Sequence, residues 1–168
     1  MGDQAIALWG FMGSGKSTVG AALARRRGWD HVDLDVVLTR RFGPIAVQFA
    51  EEGEAAFRQR EAEALAELCD GACRVLSLGG GTPVAAANRR LLGSAYQTVF
   101  LDAPWTVLRE RVVSEASGAG DRPLWGEEAA ELYARRRAVY LEADAVVSTA
   151  DRTVEQVVAA IEEVLCSG

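Results

Sequence analysis

The N-terminal part of the chain combines a short apolar run, a glycine-rich loop and a helical pattern. Residues 5–9 are apolar and predict a buried strand, and residues 17–27 have the pattern of a helix. Between them, residues 10–17 read GFMGSGKS and match the phosphate-binding pattern G-x-x-x-x-G-K-[ST]. Glycines let the loop turn its backbone N–H groups toward phosphate oxygens, and the helix N-terminus adds partial positive charge. This order of elements therefore predicts a nucleotide phosphate site.

Two side chains of this loop carry its chemistry. The ammonium group of Lys16 can reach the β- and γ-phosphates of a nucleotide, and the hydroxyl of Ser17 can hold Mg²⁺. The same loop occurs in many folds and functions. The activity therefore depends on residues further along the chain.

Strand and helix patterns alternate along the rest of the chain. Short strands separated by helices predict right-handed βαβ units, and so an α/β fold of three layers, α/β/α, around a parallel sheet. Ligands in such folds sit at the carboxyl ends of the strands. The predicted strands are 5–9, 31–33, 74–78, 98–101 and 145–147, and the predicted helices are 17–27, 35–41, 54–69, 83–92, 104–115, 127–141 and 153–165.

Length and charge exclude several classes of protein. The 168 residues predict one domain over 1–168, and the net charge of -6 argues against a nucleic-acid-binding surface. The three cysteines fit neither a zinc site nor a disulfide framework, which indicates reduced thiols and a cytoplasmic location. No apolar stretch reaches the roughly 18 residues of a membrane span, and no signal peptide is evident. We expect a monomer with no membrane partner.

Two aspartates follow the second predicted strand. Alternation along a strand would put Asp33 and Asp35 on one face, beside the phosphate loop. One carboxylate could then assist Mg²⁺, directly or through water, while the other orients the hydroxyl of a substrate. The alternative is that Asp35 only caps the following helix.

Several later residues are candidates for an acceptor site. Arg58 could present its planar fork to an anionic substrate, with Glu54 or Glu61 fixing its rotamer, although Glu54 and Arg58 also fit a surface ion pair. The three glycines at 79–81 predict a close approach of backbone and ligand, or else a loose loop. Residues 114–126 are small and flexible and then contain an arginine, which predicts a mobile flap.

Taken together, these residues resemble the shikimate kinase family. The resemblance runs from Ile6 to Val164, and the later blocks match the acceptor site and lid of that family more specifically than the phosphate loop does. The matching blocks are GFMGSGKSTVG at 10–20, DLD at 33–35, FAEEGEAAFR at 49–58, GGG at 79–81, RPL at 122–124, and Leu132, Tyr133, Arg136 and Tyr140.

The resemblance implies a P-loop kinase fold with a five-stranded parallel sheet, an acceptor-binding segment over about 34–60 and a lid over about 114–126. It implies transfer of the γ-phosphoryl group of MgATP to the 3-hydroxyl of shikimate, with Lys16, Asp35 and Arg122 as catalytic residues. The implied ATP-binding residues are Gly13, Ser14, Gly15, Lys16, Ser17, Thr18, Arg122 and Arg152. The implied shikimate-binding residues are Asp35, Arg58, Gly80 and Arg136, and the implied Mg²⁺-binding residues are Ser17 and, through water, Asp33.

Some positions depart from the family pattern. Val154 stands where a proline is common near the adenine site, and the pair Thr82-Pro83 after the glycines is unusual. The spacing from Tyr140 to Asp144 is one residue short, so that alignment on the tyrosine selects Arg136 as carboxylate ligand and alignment on the aspartate selects Arg135. We prefer Arg136 because Tyr140 lies closer to it on the same helix.

Two other functions compete with this interpretation. A kinase of the same fold could act on gluconate or on a cyclitol, although two arginines favour an acceptor that carries a carboxylate. A nucleotide-dependent regulator is the other alternative. The chain contains no guanine-reading Asn-Lys-x-Asp motif, and it retains Lys16, Asp35 and Arg122, which a degenerate binder would be expected to lose.

Overall fold

The computed structural model describes residues 4–115 and 127–166. Within these residues, five parallel strands form one sheet, as predicted. Their order across the sheet is β2-β3-β1-β4-β5. The first strand thus lies at the centre of the sheet, and the phosphate loop leaves from its carboxyl end. The strands are β1 Ile6–Trp9, β2 Asp30–Asp33, β3 Arg74–Ser77, β4 Gln97–Asp102 and β5 Ala145–Ser148.

Helices cover both faces of the sheet. The described helices are α1 Lys16–Arg27, α2 Leu34–Phe42, α3 Ile45–Leu68, α4 Ala86–Ala95, α5 Trp105–Glu115, α6 Glu127–Tyr140 and α7 Val154–Cys166, with a 3₁₀ turn at Thr82–Val84. None of these helices, in the part of the chain that the structure describes, is long and apolar enough to cross a bilayer.

The alternation of β1 builds two separate cores. Ile6 and Leu8 point to one face, where they join side chains of α1 and α7, such as Leu23 and Ile161. Ala7 and Trp9 point to the other face and pack with residues of α3, α4 and α6, among them Leu65, Leu92 and Tyr140. The three-layer arrangement follows, because a strand that is buried on both faces needs helices on both sides.

Two predicted helix boundaries were wrong. The helix predicted over 54–69 begins at Ile45, directly after Pro44, and is interrupted at Gly53, whose φ of 83° and ψ of 170° are not helical. The helix predicted over 83–92 divides into the 3₁₀ turn and α4. The first part of α3 was missed because Gly53 breaks the helical pattern into two short segments.

The segment predicted as a flap over 114–126 lies mostly outside the described residues. Ser114 and Glu115 still belong to α5, while residues 116–126, including Arg122, are not described. Residues 34–60, predicted to bind the acceptor, comprise α2 and the first part of α3.

Candidate active site

The phosphate loop walls a pocket of about 510 Å³ at the N-terminus of α1. Gly13 and Gly15 have φ values of 78° and 89°, and a Cβ at Gly13 would lie 2.9 Å from Cγ2 of Val112. Only glycine suits these two positions without strain. The predicted ATP-binding residues of the described part all line this one pocket: Gly13, Ser14, Gly15, Lys16, Ser17, Thr18 and Arg152.

An unpartnered hydroxyl within the loop fits an anionic ligand. The side chain of Ser14 is 1% exposed, and its Oγ has no hydrogen-bond partner among the described residues. A buried donor without a partner costs free energy, and a phosphate oxygen would satisfy it. The loop thus offers one further donor besides its backbone amides.

Arg111 was not predicted, although it borders the same pocket. Its Nη1 donates to the carbonyl of Gly13 at 3.2 Å and to Oγ1 of Thr149 at 2.9 Å, and its Nη2 donates to the carbonyl of Thr149 at 2.7 Å. The arginine therefore ties α5 to the phosphate loop and to the segment after β5. No sequence pattern distinguishes it from other helical arginines, because its partners are backbone and hydroxyl groups far away in the chain.

Lys16 is held against its own loop. Its Nζ donates to the carbonyls of Gly10 at 2.9 Å and Phe11 at 3.0 Å. Burial lowers the pKa of Lys16 to about 8; the nearby carboxylates of Asp35 and Asp33 oppose this shift, and Arg136 adds to it. An incoming phosphate would supply the negative charge that favours the protonated lysine.

The two aspartates have different positions from those predicted. Strand β2 ends at Asp33, and Asp35 lies in the first turn of α2, so that strand alternation does not bring the two carboxylates together. Asp33, and not Asp35, caps the helix: its Oδ1 accepts from the amides of Asp35 at 3.0 Å and Val36 at 3.4 Å. Its Oδ2 accepts a short 2.5 Å hydrogen bond from the hydroxyl of Ser17.

Ser17 and Asp33 offer a hydroxyl and a carboxylate at the mouth of the phosphate pocket. Such hard oxygen donors suit Mg²⁺. In the described ranges, no cluster of three or more His, Cys, Asp or Glu side chains could hold a metal by itself. Mg²⁺ in nucleotide sites is commonly held by one or two protein groups together with phosphates and water.

The carboxyl of Asp35 is partly withdrawn from water between α2 and the glycines. Burial raises the pKa of Asp35, the neighbouring Asp33 raises it further, and Lys16 opposes both effects. A carboxylate with a raised pKa accepts a proton more readily than an exposed one.

Three of the predicted site side chains lie over three successive glycines. A Cβ at Gly79 would lie 2.7 Å from Oδ1 of Asp35. A Cβ at Gly80 would lie 3.3 Å from Nη1 of Arg136, and a Cβ at Gly81 would lie 2.5 Å from Nη1 and 2.6 Å from Cζ of Arg58.

The close approach predicted for these glycines is therefore made first of all by side chains of the protein. A Cβ at Gly79 or Gly81 would displace the neighbouring carboxyl or guanidinium group, whereas a Cβ at Gly80 would only crowd its neighbours.

Arg58 is oriented by aromatic rings and an acid. Its guanidinium carbon lies 5.2 Å from the ring centroid of Phe57 and 6.0 Å from that of Phe49. Its Nη1 donates to Oε2 of the buried Glu61 at 2.9 Å, whereas its contacts with the exposed Glu54 are 3.4 and 3.5 Å long. Of the two acids predicted to fix this rotamer, Glu61 makes the closer contact.

The three adjacent arginines of α6 point in different directions. Arg137 pairs with Asp102, with 2.7 Å between Nη2 and Oδ2, and so faces β4. The guanidinium of Arg136 lies 5.9 Å from the ring centroid of Phe11 and beside Gly80. Together with Arg58 and the exposed Arg135, Arg136 lines a second pocket of about 710 Å³. The geometry therefore brings Arg136 to the position over the glycines and leaves Arg135 on the rim.

Known proteins resemble this chain in sequence and in fold. Residues 12–166 match the family model described as shikimate kinase. The chain belongs to the shikimate kinase family. A shikimate kinase of Geobacter sulfurreducens is 40% identical over 162 residues, which cover 93% of this chain and 87% of that relative.

Solved structures agree with this family. A shikimate kinase of Acinetobacter baumannii, in complex with shikimate, superposes with a TM-score of 0.88 at 30% identity and covers 98% of this chain and 93% of its own. A gluconokinase of Sinorhizobium meliloti superposes with a TM-score of 0.69 at 21% identity, over 98% of this chain and 93% of its own. At that identity the likeness shows the common fold alone, so the gluconate alternative has no further support.

Proposed function

We propose that this shikimate kinase binds the carboxylate of shikimate between Arg58 and Arg136 and the phosphates of ATP in the loop before α1. It transfers the γ-phosphoryl group to the 3-hydroxyl of shikimate. The observation that carries the proposal is the placement of Asp35, Arg136 and Arg58 over Gly79, Gly80 and Gly81. A carboxyl and two guanidinium groups thus lie over three successive residues, and Asp35 is near enough to Lys16 of the phosphate loop for their charges to interact.

Arginine suits the acceptor end of this site. A guanidinium group presents a planar fork that matches a carboxylate with two parallel hydrogen bonds. Arg58 and Arg136 come from α3 and α6, so a carboxylate between them would be held from two sides. An acceptor held at its acid group has its hydroxyls in a fixed orientation, and orientation is a large part of catalysis between two substrates.

Phosphoryl transfer depends mainly on positioning and on neutralising charge. Lys16 and the loop amides hold the phosphates, and Ser17, with Asp33 through water, would hold Mg²⁺, which neutralises charge on the phosphates when bound. Arg122, which lies outside the described residues, stays a prediction from the sequence as a further cation at the transferred group. In this proposal, Asp35 accepts the proton of the attacking hydroxyl.

We propose that the enzyme is active as a monomer. A cytoplasmic location, where ATP is available, agrees with this use of MgATP.

The direct test is release of ADP from MgATP with and without shikimate. We expect the release of ADP to depend on shikimate, and we expect no such release when gluconate replaces shikimate. A neutral cyclitol, which lacks the carboxylate, should react poorly because the two arginines would lose their partner. Turnover of the neutral cyclitol or of gluconate but not of shikimate would contradict the assignment of the acceptor.

The pKa of Lys16 predicts how ATP binding depends on pH. Because bound phosphate favours the protonated lysine, a pKa of about 8 in the free protein means that binding takes up a proton above pH 8. The affinity for MgATP should then fall by up to about tenfold per pH unit above pH 8. Calorimetric titration at pH 7.0 and 9.0, in buffers of different ionisation enthalpy, measures both effects. Affinity that is independent of pH over this range, or a Lys16→Met variant with the same pH dependence, would contradict the prediction.

The substitution Gly81→Ala tests the packing of Arg58 against the glycines. The backbone of Gly81, with φ of -88° and ψ of -19°, accepts alanine, so the new methyl should displace the flexible end of Arg58 and leave the fold intact. We expect the KM for shikimate to rise about tenfold or more, since small misplacements of a positioning group are costly. Steady-state kinetics and thermal unfolding check this.

The matched control for that variant is Gly93→Ala. Gly93 lies within α4, and outside its own helix backbone no atom lies within 4 Å of the position that the new methyl would take. The KM for shikimate and the KM for ATP should therefore both stay unchanged. A Gly81→Ala enzyme with the parent KM for shikimate would show that Arg58 does not need its observed position.

A further inference from the structure

A buried hydroxyl lies behind Arg58, at the start of the 3₁₀ turn that follows the three glycines. Thr82 is 0% exposed, and its Oγ1 donates to Oε1 of Glu61 at 2.6 Å. The other oxygen of the same carboxylate accepts from Nη1 of Arg58 at 2.9 Å. Two hydrogen bonds thus connect the turn after β3 to the guanidinium group of Arg58, which lines the acceptor pocket.

Two hydrogen bonds, one to the backbone N–H of Thr82 and one to its carbonyl, hold this residue in place. Its amide donates to the carbonyl of Gly79 at 3.1 Å. Its carbonyl accepts from Nδ2 of the buried Asn88 at 3.0 Å. The hydroxyl is therefore presented from a fixed point of the fold, while Arg58 and Glu61 belong to α3 and have long side chains with several rotamers.

The carboxylate of Glu61 needs both of its partners. It is 1% exposed, and a carboxylate that is removed from water must be satisfied by donors. While Thr82 satisfies Oε1, only Oε2 is left for Arg58, which fixes one orientation of the guanidinium. Without the hydroxyl, both oxygens would compete for Arg58 and draw its donors away from the pocket.

We propose that Thr82 is a positioning residue for the acceptor: through Glu61, its hydroxyl sets the orientation in which Arg58 meets the carboxylate of shikimate. This inference rests on the proposed function, in which Arg58 binds that carboxylate. Thr82 acts on the acceptor site alone, since none of these three side chains lines the phosphate pocket. The two substrates should therefore respond differently to its loss.

The test is a comparison of Thr82→Val, which removes the hydroxyl and keeps the size, with Thr82→Ser, which keeps the hydroxyl. In Thr82→Val we expect the KM for shikimate to rise about five- to tenfold, the effect of one hydrogen bond of ordinary strength, because the hydroxyl acts on the acceptor only through Glu61. The KM for ATP should change less than about twofold. Thr82→Ser should rescue most of this rise. Turnover of a shikimate analogue without its carboxylate should be the same in the parent and in Thr82→Val.

Thr82→Ala is the second variant, because it removes the hydroxyl without placing a methyl against the buried carboxylate. Kinetics of Arg58→Ala, measured in parallel, separate the two proposals. If Arg58→Ala does not raise the KM for shikimate, the acceptor assignment is wrong and this inference falls with it. If Arg58→Ala raises it but Thr82→Val and Thr82→Ala do not, only the positioning role is wrong. Equal rises in both KM values, or no rescue by serine, would also overturn the positioning role.

Discussion

The variant Asp35→Asn is expected to lower kcat for shikimate by about 10²–10⁴-fold, the range that a positioned proton acceptor contributes. The affinity for MgATP should stay close to that of the parent, because Asp35 does not line the phosphate pocket. Steady-state kinetics with both substrates and titration with MgATP measure the two quantities. A kcat equal to that of the parent would contradict the assignment of Asp35 to the hydroxyl.

The same variant should be more stable than the parent at neutral pH. The pKa of Asp35 is raised by burial and by Asp33, so the carboxyl favours folding when protonated, at pH values below its ordinary pKa of 3.8. That contribution is lost as the pH rises through the folded-state pKa, and the charged form then destabilises the fold at pH 7. Asparagine carries no charge, so we expect a Tm higher by a few degrees at pH 7 and a smaller gain near pH 4.

Asp70→Asn is the control for this stability effect. The pKa of Asp70 is lowered, by the amide of Ala72 and by Arg74, so its removal should not raise the Tm at pH 7. An increase in Tm for both variants would indicate a general effect of lower net negative charge. It would contradict the prediction that the charge of Asp35 destabilises the fold because it is buried beside Asp33.

The variant Arg58→Ala is expected to raise the KM for shikimate by about 30-fold or more. Truncating one partner of a hydrogen-bonded charge pair costs about 2 kcal/mol or more, and every 1.4 kcal/mol is a factor of ten in affinity. The KM for ATP should change less than about twofold. Arg58→Lys should recover only part of the loss, because lysine keeps the charge and lacks the fork.

Arg60→Ala is the matched control on the same helix. The guanidinium of Arg60 lies 4.6 Å from the ring centroid of Phe42, and it pairs with Glu52, away from the acceptor pocket. The Arg60→Ala variant should leave the KM for shikimate and the KM for ATP unchanged. Arg58→Ala with equal effects on the two substrates would count against the carboxylate clamp.

Local patterns were sufficient for the sheet and for the phosphate loop. The glycines at 13 and 15 have positive φ values, which is a property of single residues and their neighbours, and the sequence pattern records it directly. The five strands were also found within one or two residues, because most of them contain a short apolar run that stands apart from the neighbouring helical patterns. Local sequence is equally informative wherever the required conformation depends on neighbouring residues alone.

Predictions from local sequence were wrong where one secondary-structure element ends and the next begins. The pair Asp33 and Asp35 was found, but on a strand pattern that does not apply, since β2 ends and α2 begins between them. The helix before Gly53 was missed because this glycine, with a positive φ and a non-helical conformation, interrupts an otherwise continuous helix. Arg111 was missed altogether, since its partners are carbonyl and hydroxyl groups that come near it only after folding.

By itself, the amino-acid sequence determined the class of fold, the phosphate site and the family, since these depend on short runs of residues and on motifs that are continuous in the chain. Only the tertiary structure decided which arginine of α6 faces the glycines, that Glu61 makes the closer contact with Arg58, and that Thr82 lies behind them. The physical reason is that these contacts join α3, α6 and the turn after β3, which are distant in the chain, and that a guanidinium group is oriented by the donors, acceptors and rings that packing brings around it.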